Sequence, residues 1–139
     1  MKSLKVPYTK GFSMKIRIYY EDTDTGTIVY HSNYLNFCER ARSEAFFSRG
    51  LTPALNDGGF VAKSIEANYI KPAMLGDMIE VKSQLLKMKA ASFILLQEIF
   101  KDDKKIFEMK ITLAHIDSNA SVKKMDKDIK ELILSLFKA

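Results

Sequence analysis

The chain reads as an α+β protein: one curved antiparallel sheet around a buried central helix, with an amphipathic helix at the C-terminus. Three observations predict this. A run from about Asn33 to Arg49 carries apolar residues at helical spacing over a stripe too wide for a surface helix. Four strand-like runs follow, joined by short turns, which favours antiparallel pairing. The last segment is apolar on one helical face only. A helix that buries its stripe against a single sheet is an α+β layer arrangement.

Residues 14–20 alternate, with Ile16, Ile18 and Tyr20 on one side and Lys15, Arg17 and Tyr19 on the other, as in a half-buried strand. Asp22 and Asp24 end that run, and Gly26 breaks it. His31, Ser32 and Asn33 open the first helix. Its stripe is Tyr34, Phe37, Cys38, Ala41 and Ala45, widened by Leu35, Phe46 and Phe47, and Gly50 is a natural stop. Asp57, Gly58 and Gly59 mark a turn, and a strand runs from Phe60 to about Ile70. Pro72 and the Gly76–Asp77 pair punctuate the chain. From Met78 to Leu86, Ile79, Val81 and Leu85 share one parity, whereas Ser92 to Phe100 is apolar on both faces, as in a central strand. Asp102 to Lys105 make a hairpin turn, after which Phe107, Met109, Ile111 and Leu113 share a face. His115 follows the same parity and reads as a strand histidine without chemistry. In the final helix Ile129, Leu132, Ile133, Leu136 and Phe137 form the apolar face, and Asp126 is the N-cap.

A length of 139 residues is that of one domain, 1–139, and 47% hydrophobic content suits a packed globular core. Cys38 is the only cysteine, so no intrachain disulfide forms, which fits a reducing, cytoplasmic setting. The N-terminal MKSLKVPYTKGF has no apolar stretch of secretory type, and no run reaches membrane-spanning length. The net charge of +5 comes from scattered lysines. This describes a solvated basic surface or attraction for an anionic partner, and no nucleic-acid motif is present. Two histidines and one cysteine, far apart, do not have metal-ligand spacing.

The most informative segment is Tyr20 to Arg42, YEDTDTGTIVYHSNYLNFCERAR. It places a carboxylate pair, a glycine and a histidine just ahead of a helix start. A carboxylate near the free N–H groups of a helix N-terminus is a workable site for attack on an ester or thioester. Asp24 is the candidate catalytic carboxylate, as nucleophile or as general base on water, and Asp22 is read as structural. Backbone N–H groups from Tyr30 to Asn33, through Ser32, are candidates to hold the oxyanion. Cys38 falls on the apolar stripe and reads as a core thiol. Glu39 and Arg42, three residues apart, are expected to pair on the helix.

The segment closely resembles the acyl-CoA thioesterases of the 4-hydroxybenzoyl-CoA thioesterase family, in its YbgC-type branch. That branch reads roughly Y-E-D-T-D-x-x-G-x-V-Y-H-x-x-Y, then E-R-A-R. Tyr20 to Asp24, Val29, Tyr30, His31, Tyr34 and Glu39 to Arg42 match it. One position departs: the family glycine falls at Thr27, with Gly26 one place earlier, so a slightly different turn is expected. A weaker resemblance runs through Phe60 to Val81.

The resemblance implies the hot-dog fold, a sheet wrapped around a central helix. It implies hydrolysis of an acyl-CoA with no metal or redox cofactor, coenzyme A being part of the substrate. Asp24 would be catalytic and His31 would assist at the active site. The strand from Phe60 would lie at a subunit interface, with Val61, Lys63 and Ser64 lining the acyl pocket in a homodimer or homotetramer. Lys63, Lys123 and Lys124 are candidates for the coenzyme A phosphates, and an acyl carrier protein is an alternative carrier. Two rivals stand beside this reading. One is a dehydratase on the same fold, disfavoured because Asp24 and His31 share one loop. The other is a carrier-protein or envelope-associated binding module with little turnover.

Overall fold

In the computed structural model the described residues are 11–55 and 58–138. The N-terminal decapeptide and the Asp57 turn signal lie outside them. The element order is strand, helix, four strands, helix: β1 (Phe12–Arg17), α1 (Asn33–Phe47), β2 (Gly59–Tyr69), β3 (Met78–Met88), β4 (Ser92–Lys101), β5 (Lys104–Ile116) and α2 (Lys127–Phe137). All strand pairs are antiparallel, in the spatial order β1-β3-β4-β5-β2. The strand that is apolar on both faces, β4, is therefore the central one.

Helix α1 lies on one face of this sheet with Tyr34, Phe37, Cys38, Ala41, Ala45 and Phe46 buried. Cys38, Ala41 and Ala45 are fully inaccessible, and their small size lets the helix approach the sheet closely. Facing them are Ile79, Val81, Phe93, Leu95, Ile99, Phe107, Met109 and Ile111. Burial of each large side chain contributes about 1.5–3 kcal/mol. Helix α2 buries Ile129, Ile133, Leu136 and Phe137, and its N-cap Asp126 accepts from Ile129 N–H at 2.8 Å. The β4–β5 hairpin turns on Asp102 and Asp103 at φ of 51° and 65°. A two-residue turn with both φ positive matches the twist of the flanking strands, so Lys104 and Lys105 already belong to β5.

Two local expectations are corrected. Tyr20 is not on β1, which ends at Arg17. It starts a short 3-10 turn, Tyr20–Asp22, and is 76% exposed. Phe47 does not widen the buried stripe of α1 but lies half in solvent at the last helical position.

Among the described residues strand β2 is paired on one side only, with β5. Beyond Phe60 all its side chains are exposed. A bulge between Ala62 and Ser64 shifts the register. Residues directly opposite in a ladder share a face. Phe60 opposite His115 and Ala62 opposite Leu113 face α1, and past the bulge so do Ile65, Ala67 and Tyr69. Val61 and Ser64, opposite Ala114 and Thr112, fall on the other face.

Candidate active site

The loop from β1 to α1 carries the two carboxylates, and hydrogen bonding gives them different roles. Asp22 is buried. Its Oδ2 accepts from Tyr19 N–H at 2.9 Å, and its carbonyl accepts from Tyr30 N–H at 3.1 Å and Asn33 Nδ2 at 2.8 Å. It ties both ends of the loop together and is the structural member of the pair. Asp24 is exposed. Its N–H donates to the Ile28 carbonyl at 3.0 Å, and Thr23 bridges Val29, so residues 23–29 form a tight return. Asp24 Oδ1 accepts from Gly26 N–H at 3.2 Å, while Oδ2 accepts from no described residue. One carboxylate oxygen thus remains available for chemistry.

The segment after β2 braces this return from outside. Val29 N–H donates to the Ala73 carbonyl at 2.9 Å, and Leu75 N–H to the Thr27 carbonyl at 3.0 Å. The turn does not reroute through Gly26. Thr27 itself sits at φ 62°, a left-handed conformation that strains a β-branched residue, whereas Gly26 has no such φ. The loop keeps the backbone that suits glycine at position 27 and forces threonine into it. Thr27→Gly is therefore expected to stabilise the protein by about 0.5–1 kcal/mol, after allowance for the added flexibility of the unfolded chain. Urea unfolding reads this directly, and a loss of stability would show that Thr27 is not strained.

At the helix start, Ser32 has helical dihedrals and its side chain makes no capping bond. The candidate N–H donors divide. Tyr30 N–H is used by Asp22, and Asn33 N–H by the Tyr30 carbonyl at 2.9 Å. These two are engaged in holding the loop and are not free for an oxyanion. The N–H groups of His31 and Ser32 donate to no backbone carbonyl among the described residues. The His31 side chain is exposed, with its ring 4.5 Å from that of Tyr30. Its own carbonyl accepts from the Tyr69 hydroxyl at 2.9 Å.

His31 opens onto a groove of about 430 Å³, partly open to solvent, walled by Val29, Tyr34, Tyr69, Ile70 and Pro72, with Lys71 as a cation. Tyr34 anchors the wall: its hydroxyl accepts from Ala73 N–H at 2.9 Å and its ring stacks on Phe107 at 5.1 Å. Burial pushes the Tyr34 phenol above its ordinary pKa. No local pattern singles out Tyr69 and Lys71 as site residues. Pro72 reads only as punctuation, and nothing near it in the chain shows that the end of β2 returns to the mouth of α1.

Other candidates lie elsewhere. Val61, Lys63 and Ser64 occupy the first half of β2, whereas the groove is at its end. From Ser64 and Val61 to Tyr69 is five to eight residue steps, roughly 17–26 Å of strand. Lys123 and Lys124 lie beside His115, opposite Phe60, at the far end of the same strand. Within one protomer none of these lines the groove beside His31. His115 is buried with Nδ1 2.8 Å from the Lys123 carbonyl, as a structural histidine. Cys38 is a core thiol that burial pushes up to about 12, so it carries no reactive thiolate near neutral pH.

The expected Glu39–Arg42 pair is absent from the ion pairs of the described residues. Arg42 turns inward instead, and its Nη1 donates to Oε1 of the buried Gln97 at 2.9 Å. Desolvation lowers the Arg42 pKa. Glu39, Arg42 and Ser43 edge a second pocket of about 470 Å³, partly open to solvent and floored by Phe46, Phe60, Phe93, Leu95, Leu113 and Phe137. Among the described residues no group of three or more His, Cys, Asp or Glu gathers as a metal site. No helix among them is long and apolar enough to cross a membrane.

A five-stranded antiparallel sheet on a central helix defines a hot-dog protein, and the one loop that leads into that helix carries Asp24 and the uncommitted His31 and Ser32 N–H groups. The chain belongs to the thioesterase-like superfamily, whose family model matches residues 19–133. It is 46% identical over 87 residues to the acyl-CoA thioesterase YbgC of Helicobacter pylori, a match that covers 63% of this chain and 65% of the relative. The YbgC acyl-CoA thioesterase of Haemophilus influenzae is 32% identical over 111 residues, covering 77% and 82%. The fold is shared with the 1,4-dihydroxy-2-naphthoyl-CoA thioesterase of Synechocystis, at a TM-score of 0.80, 19% identity and coverage of 90% and 96%.

Proposed function

We propose that this chain hydrolyses acyl-CoA thioesters to a free acid and coenzyme A. The observation that carries this reading is the division of labour on one braced loop. Asp22 is spent on structure, Asp24 keeps an unclaimed oxygen, and the His31 and Ser32 N–H groups are uncommitted at the N-terminus of α1. The YbgC relatives named as acyl-CoA thioesterases support it.

Asp24 acts in one of two ways. As general base it takes a proton from water while the water oxygen bonds to the thioester carbon. As nucleophile its Oδ2 bonds to that carbon, and water later cleaves the mixed anhydride. In both, the carbonyl oxygen becomes negative, the C–S bond then breaks, and the thiolate leaves and takes up a proton. Oxygen-18 from water found in the Asp24 carboxylate after turnover would identify the nucleophilic route. The His31 and Ser32 N–H groups and the helix dipole stabilise the oxyanion, and His31 positions water or relays a proton near neutral pH. Carboxylate, water and N–H donors suffice, so the reading needs neither metal nor redox cofactor.

Tyr30, Ser32 and Asn33 shape the acyl side of the site. The unpaired edge of β2 supports a homodimer or a tetramer of such dimers, since exposed edges favour strand pairing. Antiparallel pairing about a two-fold would lay the Val61–Ser64 half of one β2 beside the Tyr69 end of the other. That would bring Val61, Lys63 and Ser64 to the neighbouring groove, and Lys71 adds a cation for coenzyme A phosphates. A lone buried cysteine suits a cytoplasmic setting. The net charge of +5 would also suit an acidic acyl carrier protein as carrier.

The test is thiol release from short, long and aromatic acyl-CoAs and from an acyl carrier protein thioester. The buried Cys38 should give a low reagent blank in the folded protein. Release that depends on Asp24 supports the reading. No release from any thioester would favour the binding module.

A further inference from the structure

Strand β2 delivers Tyr69 to the helix-facing side of the sheet, opposite Phe107. The ring is seated edge-on against Phe107 at 5.0 Å and against Tyr34 at 5.4 Å between centroids. From that seat its hydroxyl donates to the His31 carbonyl oxygen at 2.9 Å, across 38 residues of sequence. That carbonyl belongs to the same peptide unit as the Ser32 N–H. A trans peptide is planar, with C=O and N–H pointing in opposite directions. Whatever fixes the carbonyl therefore aims the N–H, which donates to no backbone carbonyl among the described residues. Hydrogen bonds in series also polarise one another, by about 10–30% per bond. Partial desolvation holds the phenol of the half-exposed Tyr69 above its ordinary pKa, so it stays a proton donor at neutral pH.

We infer that Tyr69 is a positioning residue for the thioester hydrolysis proposed above: by holding the His31 carbonyl it orients and polarises the Ser32 N–H toward the developing oxyanion. The inference rests on that reading of the site. It separates the hydroxyl of Tyr69 from its ring, because only the hydroxyl acts through the peptide while the ring packs the groove wall.

The test is Tyr69→Phe in the full chain, which keeps the ring and removes the hydroxyl. Removing an oxyanion donor outright costs about 10²–10³ in kcat, so a donor that is merely loosened should cost about tenfold. The expected result is a kcat lowered about tenfold on the best acyl-CoA of the panel, with KM within about twofold and an unchanged Tm. A second readout needs no turnover. With a ¹³C-carbonyl acyl-CoA bound to Asp24→Asn, the C=O stretch should be lowered relative to free substrate, and adding Tyr69→Phe should reverse part of that shift. Wild-type kcat in Tyr69→Phe, a loss confined to KM, or an unaltered stretch overturns the inference while leaving the thioesterase reading intact. Absence of wild-type turnover on every thioester overturns both.

Discussion

Asp24→Asn should lower kcat on acyl-CoA by about 10²–10⁴, the range expected when a positioned acid–base group is lost. The fold should not change. Asp24 is exposed, and its one internal side-chain bond, from Gly26 N–H to Oδ1, can be kept by the asparagine oxygen. The substitution therefore removes the charge at Oδ2 and little else. Circular dichroism and Tm measured beside thiol release decide the point. A collapse of turnover in a folded variant assigns the chemistry to Asp24, and undiminished turnover moves it elsewhere. The contrasting variant is Asp22→Asn. There the lost charge belongs to the buried Oδ2 that holds Tyr19 N–H, so the change should appear in stability as well as in rate.

Gln97→Leu should be strongly destabilising. Gln97 sits in the central strand with no exposure, and all of its hydrogen bonds are internal. Nε2 donates to the Cys38 carbonyl at 2.9 Å and to Ser83 Oγ at 2.8 Å, and Oε1 accepts from Arg42 Nη1 at 2.9 Å. Leucine has nearly the same volume, so little of the effect is a cavity. The loss is one charge-assisted bond, two neutral ones, and a desolvated guanidinium left facing hydrocarbon. We expect about 3–5 kcal/mol of destabilisation, or a Tm roughly 10–20 °C lower. Adding Arg42→Met should recover part of it, because the stranded charge goes too. A single variant within about 1 kcal/mol of wild type, or a double variant no better than Gln97→Leu, would show that Arg42 reaches solvent and does not need Gln97.

Local periodicity made much of this molecule legible. The element order, the buried stripe Tyr34–Phe37–Cys38–Ala41–Ala45, the Asp126 cap and the central position of the Ser92–Phe100 strand follow from spacings of 2 and 3.6 residues and from capping chemistry. These depend on neighbours within one or two turns, which chain order displays. The loop motif likewise marked Asp24 and His31, since both lie within eight residues of each other.

Choices between competing partners were not legible. Arg42 has Glu39 one helical turn away, yet it takes Gln97, 55 residues distant, because folding brings that amide beneath the helix. Thr27 holds a conformation that suits glycine because the strand-like return from Thr23 to Val29 and the brace from Ala73 and Leu75 fix its backbone. The bulge at Lys63 reverses which β2 side chains face the helix, a one-residue shift that changes faces because the side-chain period is two.

The sequence by itself determined the order of helices and strands, the apolar faces they bury, and the loop that holds the candidate carboxylate. The tertiary structure alone decided which N–H groups at the helix mouth are spent and which are free, that β2 is an edge strand, and that Tyr69 reaches His31. The physical reason is that hydrogen-bonding groups are claimed by whichever partner lies within about 3 Å. Across 38 or 55 residues of chain, only the packed fold sets that distance.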